Sequence, residues 1–192
     1  MRLLLPLLIF LVSACAEKEL TVEQYAAHSN NLAVKKVTDP AFDFELNVPV
    51  EWVWKIEKDY VRDSIVLGVD MASPGDANGF VNTLSILKVK PSRSEVDIEL
   101  THLLMKTQLQ NTKDFNFRII ESGKTDILKR PAFFVHGRSD TGRYGEIEFV
   151  YFVAEGNTTG DYYLLSANAS RTKDLEKDMS IMLDCLKSFK TN

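Results

Sequence analysis

The chain has 192 residues, with 23 Lys and Arg against 27 Asp and Glu and a net charge of −4. This length predicts one domain with a proper hydrophobic core. The acidic balance argues against a nucleic-acid binder, which needs a basic surface, and against a polybasic hold on anionic lipid.

The first fifteen residues are typical of a cleaved signal peptide, because a positive Arg2 precedes an apolar run over residues 3–11. That run is too short to cross a membrane, which takes about 20 apolar residues. The quartet Val12-Ser13-Ala14-Cys15 resembles the lipobox of bacterial lipoproteins. The resemblance implies cleavage between Ala14 and Cys15 and a diacylglycerol on the Cys15 sulfur. An ordinary signal peptide followed by an unrelated cysteine is the alternative.

The expected location follows from this resemblance. A stable anchor needs two or three acyl chains, typically palmitate, so Cys15 would tie the protein to a lipid bilayer. Ala16 rather than Asp follows the cysteine, which resembles lipoproteins of the outer membrane that face the periplasm. The predicted organisation is a signal peptide over residues 1–14, a lipidated cysteine and tether over 15–40, and one domain over 41–190.

Within the tether, Thr21 and Gln24 fit a capping box that predicts a short helix. If the tether were fully extended, its roughly 25 residues would reach about 80 Å. The domain is therefore expected to stand well away from the bilayer.

From Ala41 the hydrophobic period changes to two, which predicts β-strands. The first strand alternates apolar and polar side chains through Phe42, Phe44, Leu46 and Val48. Eight further strands are expected at residues 52–56, 65–71, 81–90, 117–121, 125–128, 132–138, 146–154 and 161–169.

Two longer helices are expected, over residues 95–110 and 172–187. The core-facing stripe of the first is predicted to be Val96, Leu100, Leu103, Leu104 and Thr107. The corresponding stripe of the second is Leu175, Met179, Met182, Leu183 and Leu186.

Short connections favour antiparallel pairing, and strands apolar on both faces need cover on both sides. The predicted fold class is therefore α+β, a bent antiparallel sheet of about seven strands flanked by helices. The segment 44–52, FELNVPVEW, resembles the opening of PsbP-like domains, and the order of elements is similar to that of DcrB-like bacterial lipoproteins. The resemblance implies an α/β/α sandwich used for binding or assembly, without a shared active site.

Candidate chemistry is sparse. Asp140-Thr141-Gly142 matches the aspartic protease triplet, but that chemistry needs two carboxylates, and the same triplet is an ordinary hairpin turn. His28, His102 and His136 lack the spacing of metal ligands. Asp70, Asp76 and Asn78 could hold Ca²⁺, although a solvated loop is the simpler interpretation. We predict no catalytic residue, no metal and no cofactor.

Two other features leave alternatives open. Cys185 lies in an apolar helical run and is expected to be a buried free thiol rather than a reactive one. Trp52 and Trp54 share a strand face and form either part of the core or an exposed aromatic pair that contacts a partner.

The favoured function is a membrane-anchored, non-enzymatic binding or assembly module of the bacterial cell envelope, with an envelope protein as its partner. One alternative is a periplasmic carrier of a small apolar ligand or metal ion, held in a cleft between the sheet and a helix. A remote alternative is a hydrolase that uses Asp140.

Overall fold

The computed structural model describes residues 19–28, 30–57, 64–77, 79–91, 97–112, 116–142, 145–157 and 160–192. The predicted signal peptide, Ala14, Cys15, Val96 and Asn78 lie outside these ranges. Within them, no helix is both long and apolar enough to cross a membrane.

The described ranges contain three helices, α1 (Val22–Ala27), α2 (Ile98–Asn111) and α3 (Leu175–Lys187). The strands are β1 (Val34–Val37), β2 (Phe44–Pro49), β3 (Val53–Ile56), β4 (Ile65–Ala72), β5 (Thr83–Val89), β6 (Arg118–Thr125), β7 (Ala132–Asp140), β8 (Glu146–Glu155), β9 (Tyr162–Ser170) and β10 (Lys190–Thr191).

Seven strands form one antiparallel sheet in the order β3-β4-β5-β9-β8-β7-β6, and β1, β2 and β10 form a small second sheet. The predicted α+β class and seven-stranded antiparallel sheet are confirmed. The prediction of two short strands at 117–121 and 125–128 is wrong, because β6 is continuous. Its Gly123 pairs with Phe134 of β7, and a bulge between Ile119 and Glu121 takes up the irregularity.

The main core lies on the inner face of the large sheet, which carries Val150 and Phe152 of β8 and Leu165 and Ala167 of β9. Helix α3 packs on this face together with β2. The predicted α3 stripe is buried from Met179 onward, and only Leu175 is partly exposed. Helix α2 contacts β7 and β8 from the opposite, outer face, which gives the α/β/α arrangement.

The prediction of a tether over residues 15–40 is wrong for the residues of this range that the structure describes. Residues 19–28 and 30–40 contain α1 and β1, and Val22 and Tyr25 of α1 belong to the core. The predicted capping box is present, since Thr21 Oγ1 accepts from the Gln24 backbone N–H and Gln24 Oε1 accepts from the Thr21 N–H. The short helix is stable because it packs on α3.

A buried carboxylate fastens α1 to the sheet. Glu148 of β8 is 1% exposed and accepts hydrogen bonds from the Tyr25 hydroxyl at 2.7 Å and from His136 Nε2 at 2.8 Å. Arg138 Nε lies 3.3 Å from its second oxygen. Burial alone would raise the pKa of Glu148, but the hydrogen bonds from His136 and Tyr25 outweigh it and hold the pKa below its usual value.

We expect Tyr25→Phe to lower the free energy of unfolding by about 1.5–3 kcal/mol, because a buried ionised carboxylate loses a donor. Urea unfolding of the purified protein measures the change. Tyr162→Phe, on the outer face, is the matched control and should cost at most about 0.5 kcal/mol. Equal effects of the two substitutions would show that α1 is not held by Glu148.

Candidate functional site

Helix α2 is rotated relative to the sequence-based prediction. It begins at Ile98, and Asp97 Oδ1 accepts from the backbone N–H groups of Glu99 and Leu100 at 2.9 and 3.0 Å. The predicted core stripe is wrong, because Leu100, Leu103 and Leu104 are 53%, 50% and 63% exposed. The buried residues of the helix are Ile98 and His102.

His102 determines this rotation. Its Nε2–H donates to the backbone carbonyl oxygen of Phe134 at 2.9 Å, and its ring stacks on Phe133 with centroids 5.3 Å apart. Burial, assisted by the nearby Lys106 charge, lowers the pKa of His102. The neutral imidazole therefore occupies the place that the sequence assigned to leucine.

A second helical stripe explains why the sequence-based prediction wrongly placed the leucines in the core. Ile98, His102, Met105 and Leu109 follow one another at i, i+4, i+7 and i+11, which is also one face of a helix. The leucine stripe is the more apolar of the two, so periodicity alone selects it. The aromatic side chains of β7 supply a stacking partner and a carbonyl for His102, and neither can be seen in the sequence of the helix.

Between the second half of α2 and the outer face of the sheet lies a cavity of about 560 Å³. The helix contributes Met105, Gln108, Leu109 and Thr112 to its lining, the following segment contributes Phe117, and β5, β8 and β9 contribute Ser85, Leu87, Tyr151, Leu164, Leu165 and Ser166. This is the kind of cleft that the carrier interpretation predicted. Its volume falls within the range of about 300–1,000 Å³ that is usual for small-molecule sites.

The described lining of this cavity carries no charged side chain. Burial raises the pKa of Tyr151 to about 12, so its hydroxyl stays protonated and lies 3.4 Å from Asn168 Oδ1. The Thr112 hydroxyl donates to the backbone carbonyl of Gln108 at 2.8 Å. A buried charge would have no partner here, so the cavity suits neutral, largely apolar groups.

The predicted partner pair Trp52 and Trp54 is not an exposed pair. Trp52 is 4% exposed and belongs to the core, while Trp54 is half-buried with its ring 5.7 Å from Phe42. Core packing, the other interpretation, describes both residues. The prediction of a partner contact at Trp52 is wrong because that side chain is buried in the core.

Cys185 and Asp140 have structural roles. Cys185 is a buried free cysteine, as predicted, and burial with the nearby Asp184 charge raises the pKa of its thiol to about 12. Asp140 ends β7, where its Oδ1 accepts from the Gly142 backbone N–H at 2.8 Å. Gly142 has a φ of 66°, so Asp140-Thr141-Gly142 is a turn.

The remaining candidates are dispersed. His28 lies at the surface 3.1 Å from Glu176, whereas His136 belongs to the Glu148 cluster. Asp76 closes its own loop, since Oδ1 accepts from the Phe80 N–H and Oδ2 from the Ser170 hydroxyl. Across the described ranges, no group of three or more His, Cys, Asp or Glu residues is placed to hold a metal ion.

Solved structures share this fold at low sequence identity. The cyanobacterial PsbP protein CyanoP from Synechocystis matches with a TM-score of 0.57 and 12% identity, covering 86% of this chain and 98% of CyanoP. LpqN from Mycobacterium tuberculosis, described as involved in cell envelope biogenesis, matches with a TM-score of 0.55 and 14% identity over 90% of this chain and 98% of LpqN. A point variant of Mog1 matches with a TM-score of 0.51 and 10% identity, covering 83% of this chain and 96% of Mog1.

No protein-family model and no curated protein matches the sequence. The likeness therefore concerns the fold, which is that of PsbP-like domains.

Protonation of His102 should destabilise the folded protein in weak acid. In the unfolded chain His102 has its ordinary pKa of 6.5, whereas in the folded protein its pKa is lower. As the pH falls, His102 of the unfolded chain therefore binds a proton at a higher pH than His102 of the folded protein. The free energy of unfolding should therefore fall below about pH 6.5, and His102→Gln, which keeps a donor for Phe134, should reduce that fall between about pH 7 and pH 5.

Chemical unfolding at a series of pH values measures this dependence. The control is His28→Gln, the same substitution at an exposed histidine, which should leave the fall in place. A His102→Gln protein with the pH dependence of the wild type would contradict the assignment.

Proposed function

We propose that this protein is a bacterial lipoprotein that serves in the cell envelope as a non-enzymatic binding or assembly module. The Val12-Ser13-Ala14-Cys15 quartet supports lipidation at Cys15 after cleavage behind Ala14. The fold shared with CyanoP and with LpqN, the latter described as involved in envelope biogenesis, supports a binding role in the envelope. We place it on the outer membrane, facing the periplasm.

The observation that carries the binding role is the α2 leucine face, formed by Leu100, Leu103 and Leu104. These side chains are at least half exposed and follow at i, i+3 and i+4, so they lie together on one side of the helix. Grouped exposed leucines mark interaction surfaces, and covering one fully is worth about 1.5–3 kcal/mol. A helix that presents such anchors fits an apolar groove on a partner protein.

The start of the described chain supports a position close to the bilayer. Glu19 Oε1 pairs with Arg138 Nη1 at 3.2 Å and also with Arg118, so the chain is held to the sheet at this point. Cys15 precedes Glu19 by four residues. Four residues span at most about 14 Å, so a lipid on Cys15 would hold the domain against the membrane rather than far above it.

Lipidation is tested by growing cells that express the full chain with radiolabelled palmitate. We expect the label in the wild type and in Cys185→Ala, which removes the other cysteine, but not in Cys15→Ala. The Cys15→Ala protein should also leave the membrane fraction, because the bilayer no longer holds it. Unlabelled wild-type protein, or label that persists in Cys15→Ala, would refute the anchor.

The partner surface is tested with a photo-crosslinking amino acid placed in living cells at position 103, and at position 53 as a control. Val53 is 66% exposed on β3, away from α2. We expect a discrete adduct with one envelope protein from position 103 that disappears when Leu100→Glu is added. An adduct pattern shared by both positions, or one that Leu100→Glu leaves unchanged, would refute this face as the binding surface.

The cavity supports a second candidate function, a carrier of a small apolar ligand. Its lining is uncharged and largely apolar, which favours this ligand class over a metal ion. The Asp140 carboxylate accepts a hydrogen bond within its own turn, which argues against the hydrolase alternative.

A further inference from the structure

We propose that the cavity beneath α2 binds one linear acyl chain of a membrane lipid supplied by the bilayer next to the domain. This inference names the ligand for the carrier role and therefore rests on that second proposed function. Three observations carry it: the chemistry of the lining, the dimensions of the cavity, and the place where the chain enters the domain.

The lining matches a hydrocarbon chain bearing an uncharged polar group. Leu87 and Leu164 are cross-strand neighbours on β5 and β9, and Met105 and Leu109 face them from the helix. Met105 can adjust to chains of different length because its side chain is unbranched and flexible. The charged headgroup of a lipid would have to remain outside, since no charged side chain of the described lining could pair with it.

Polar groups are present without charge. Ser166 pairs across the sheet with Ser85 on one side and with Tyr151 on the other, so two hydroxyls and a phenol form one row along the cavity wall. Burial keeps the Tyr151 phenol protonated by raising its pKa to about 12. Such a row can donate hydrogen bonds to the ester oxygens of a lipid, whereas it offers no counter-ion to a phosphate.

The cavity is large enough for one such chain. The helix residues that line it run from Met105 to Thr112, which is about 10 Å along the helix axis. The strands that line it, β8, β9 and β5, are consecutive neighbours and span about 10 Å across the sheet. If a methylene needs the ~30 Å³ that one water molecule occupies in the liquid, the volume of about 560 Å³ holds on the order of nineteen carbons.

The chain enters the domain at the edge strand β6, on the face opposite the cavity but next in sequence to a residue of the cavity lining. Glu19, the first described residue, pairs with Arg118, and the neighbouring Phe117 lines the cavity. With Cys15 four residues before Glu19, a lipid anchor holds this region within about 14 Å of the bilayer surface. Membrane lipids are therefore the most concentrated source of apolar chains near the cavity.

The test uses the full chain, purified in two forms, the membrane-extracted wild type and the Cys15→Ala variant. Both are titrated with cis-parinaric acid, an acyl chain that becomes fluorescent in apolar surroundings. We expect saturable binding at one site per protein in both forms. Palmitic acid should displace the probe, while the compact adamantane-1-carboxylate should displace it at least about tenfold less well, because it fills fewer methylene positions.

A matched pair of variants locates the site. Met105→Trp fills the cavity and should weaken binding by about tenfold or more, since each two methylenes excluded are worth roughly that factor. Thr107→Trp, two residues later on an exposed position outside both the cavity lining and the leucine face, should change binding by less than about twofold. Ser166→Leu adds a smaller side chain to the cavity than Met105→Trp does. If Ser166→Leu loses binding while its circular dichroism spectrum is unchanged, the loss comes from a blocked cavity and not from misfolding.

Three results would overturn the proposal. The first is the absence of saturable binding in both forms, and the second is equal displacement by the compact competitor. The third is binding by Cys15→Ala but not by the lipidated wild type, which would mean that the cavity holds the protein's own anchor. Intact mass reports lipidation separately, so failure of the anchor leaves the cavity result interpretable in Cys15→Ala.

Discussion

The hydrogen bond from His102 to the carbonyl oxygen of Phe134 is the contact on which the outer layer of this protein depends. Together with the stacking of His102 on Phe133, it sets the rotation of α2 about its own axis. Because the histidine side of the helix faces the sheet, Leu100, Leu103 and Leu104 face solvent. The same rotation places Met105 and Leu109 over β5 and β9, where the cavity lies. One polar contact thus determines both surfaces for which we propose a role.

The inner layer depends on a different kind of contact. Glu148 is a buried charge, and such a charge is tolerated only when it is paired. Tyr25 and His136 satisfy one of its oxygens and Arg138 lies beside the other, so α1 is tied to the sheet that it covers. The described chain begins at Glu19, which pairs with Arg138 of the same cluster, and Cys15 precedes Glu19 by four residues. If Cys15 carries the proposed lipid, the domain lies close to the bilayer and meets membrane lipids and membrane proteins first.

The sheet was predictable and the orientation of α2 was not, for one physical reason. Strands such as β2 and helices such as α3 bury their most apolar stripe, so the period of Phe44, Leu46 and Val48 or of Met179 and Met182 locates the core directly. In α2 a histidine is stabilised by a partner on β7, which lies about thirty residues away in the sequence. The burial of Tyr25 in α1 likewise depends on a hydrogen bond to Glu148, which is distant in the sequence. The local composition of this segment therefore predicted a tether rather than a packed helix. The cavity is a consequence of these long-range contacts, and no pattern in the sequence predicts it.

The rotation of α2 can be measured directly by cysteine labelling. Single cysteines are placed at positions 98, 100, 103, 104 and 109 of the full Cys15→Ala chain, and their rates of reaction with a maleimide are compared. The buried Cys185 contributes little background because burial raises its pKa to about 12. Our account predicts fast labelling at 100, 103 and 104 and protection at 98 and 109. Protection of the three leucine positions with fast labelling at 98 would contradict it.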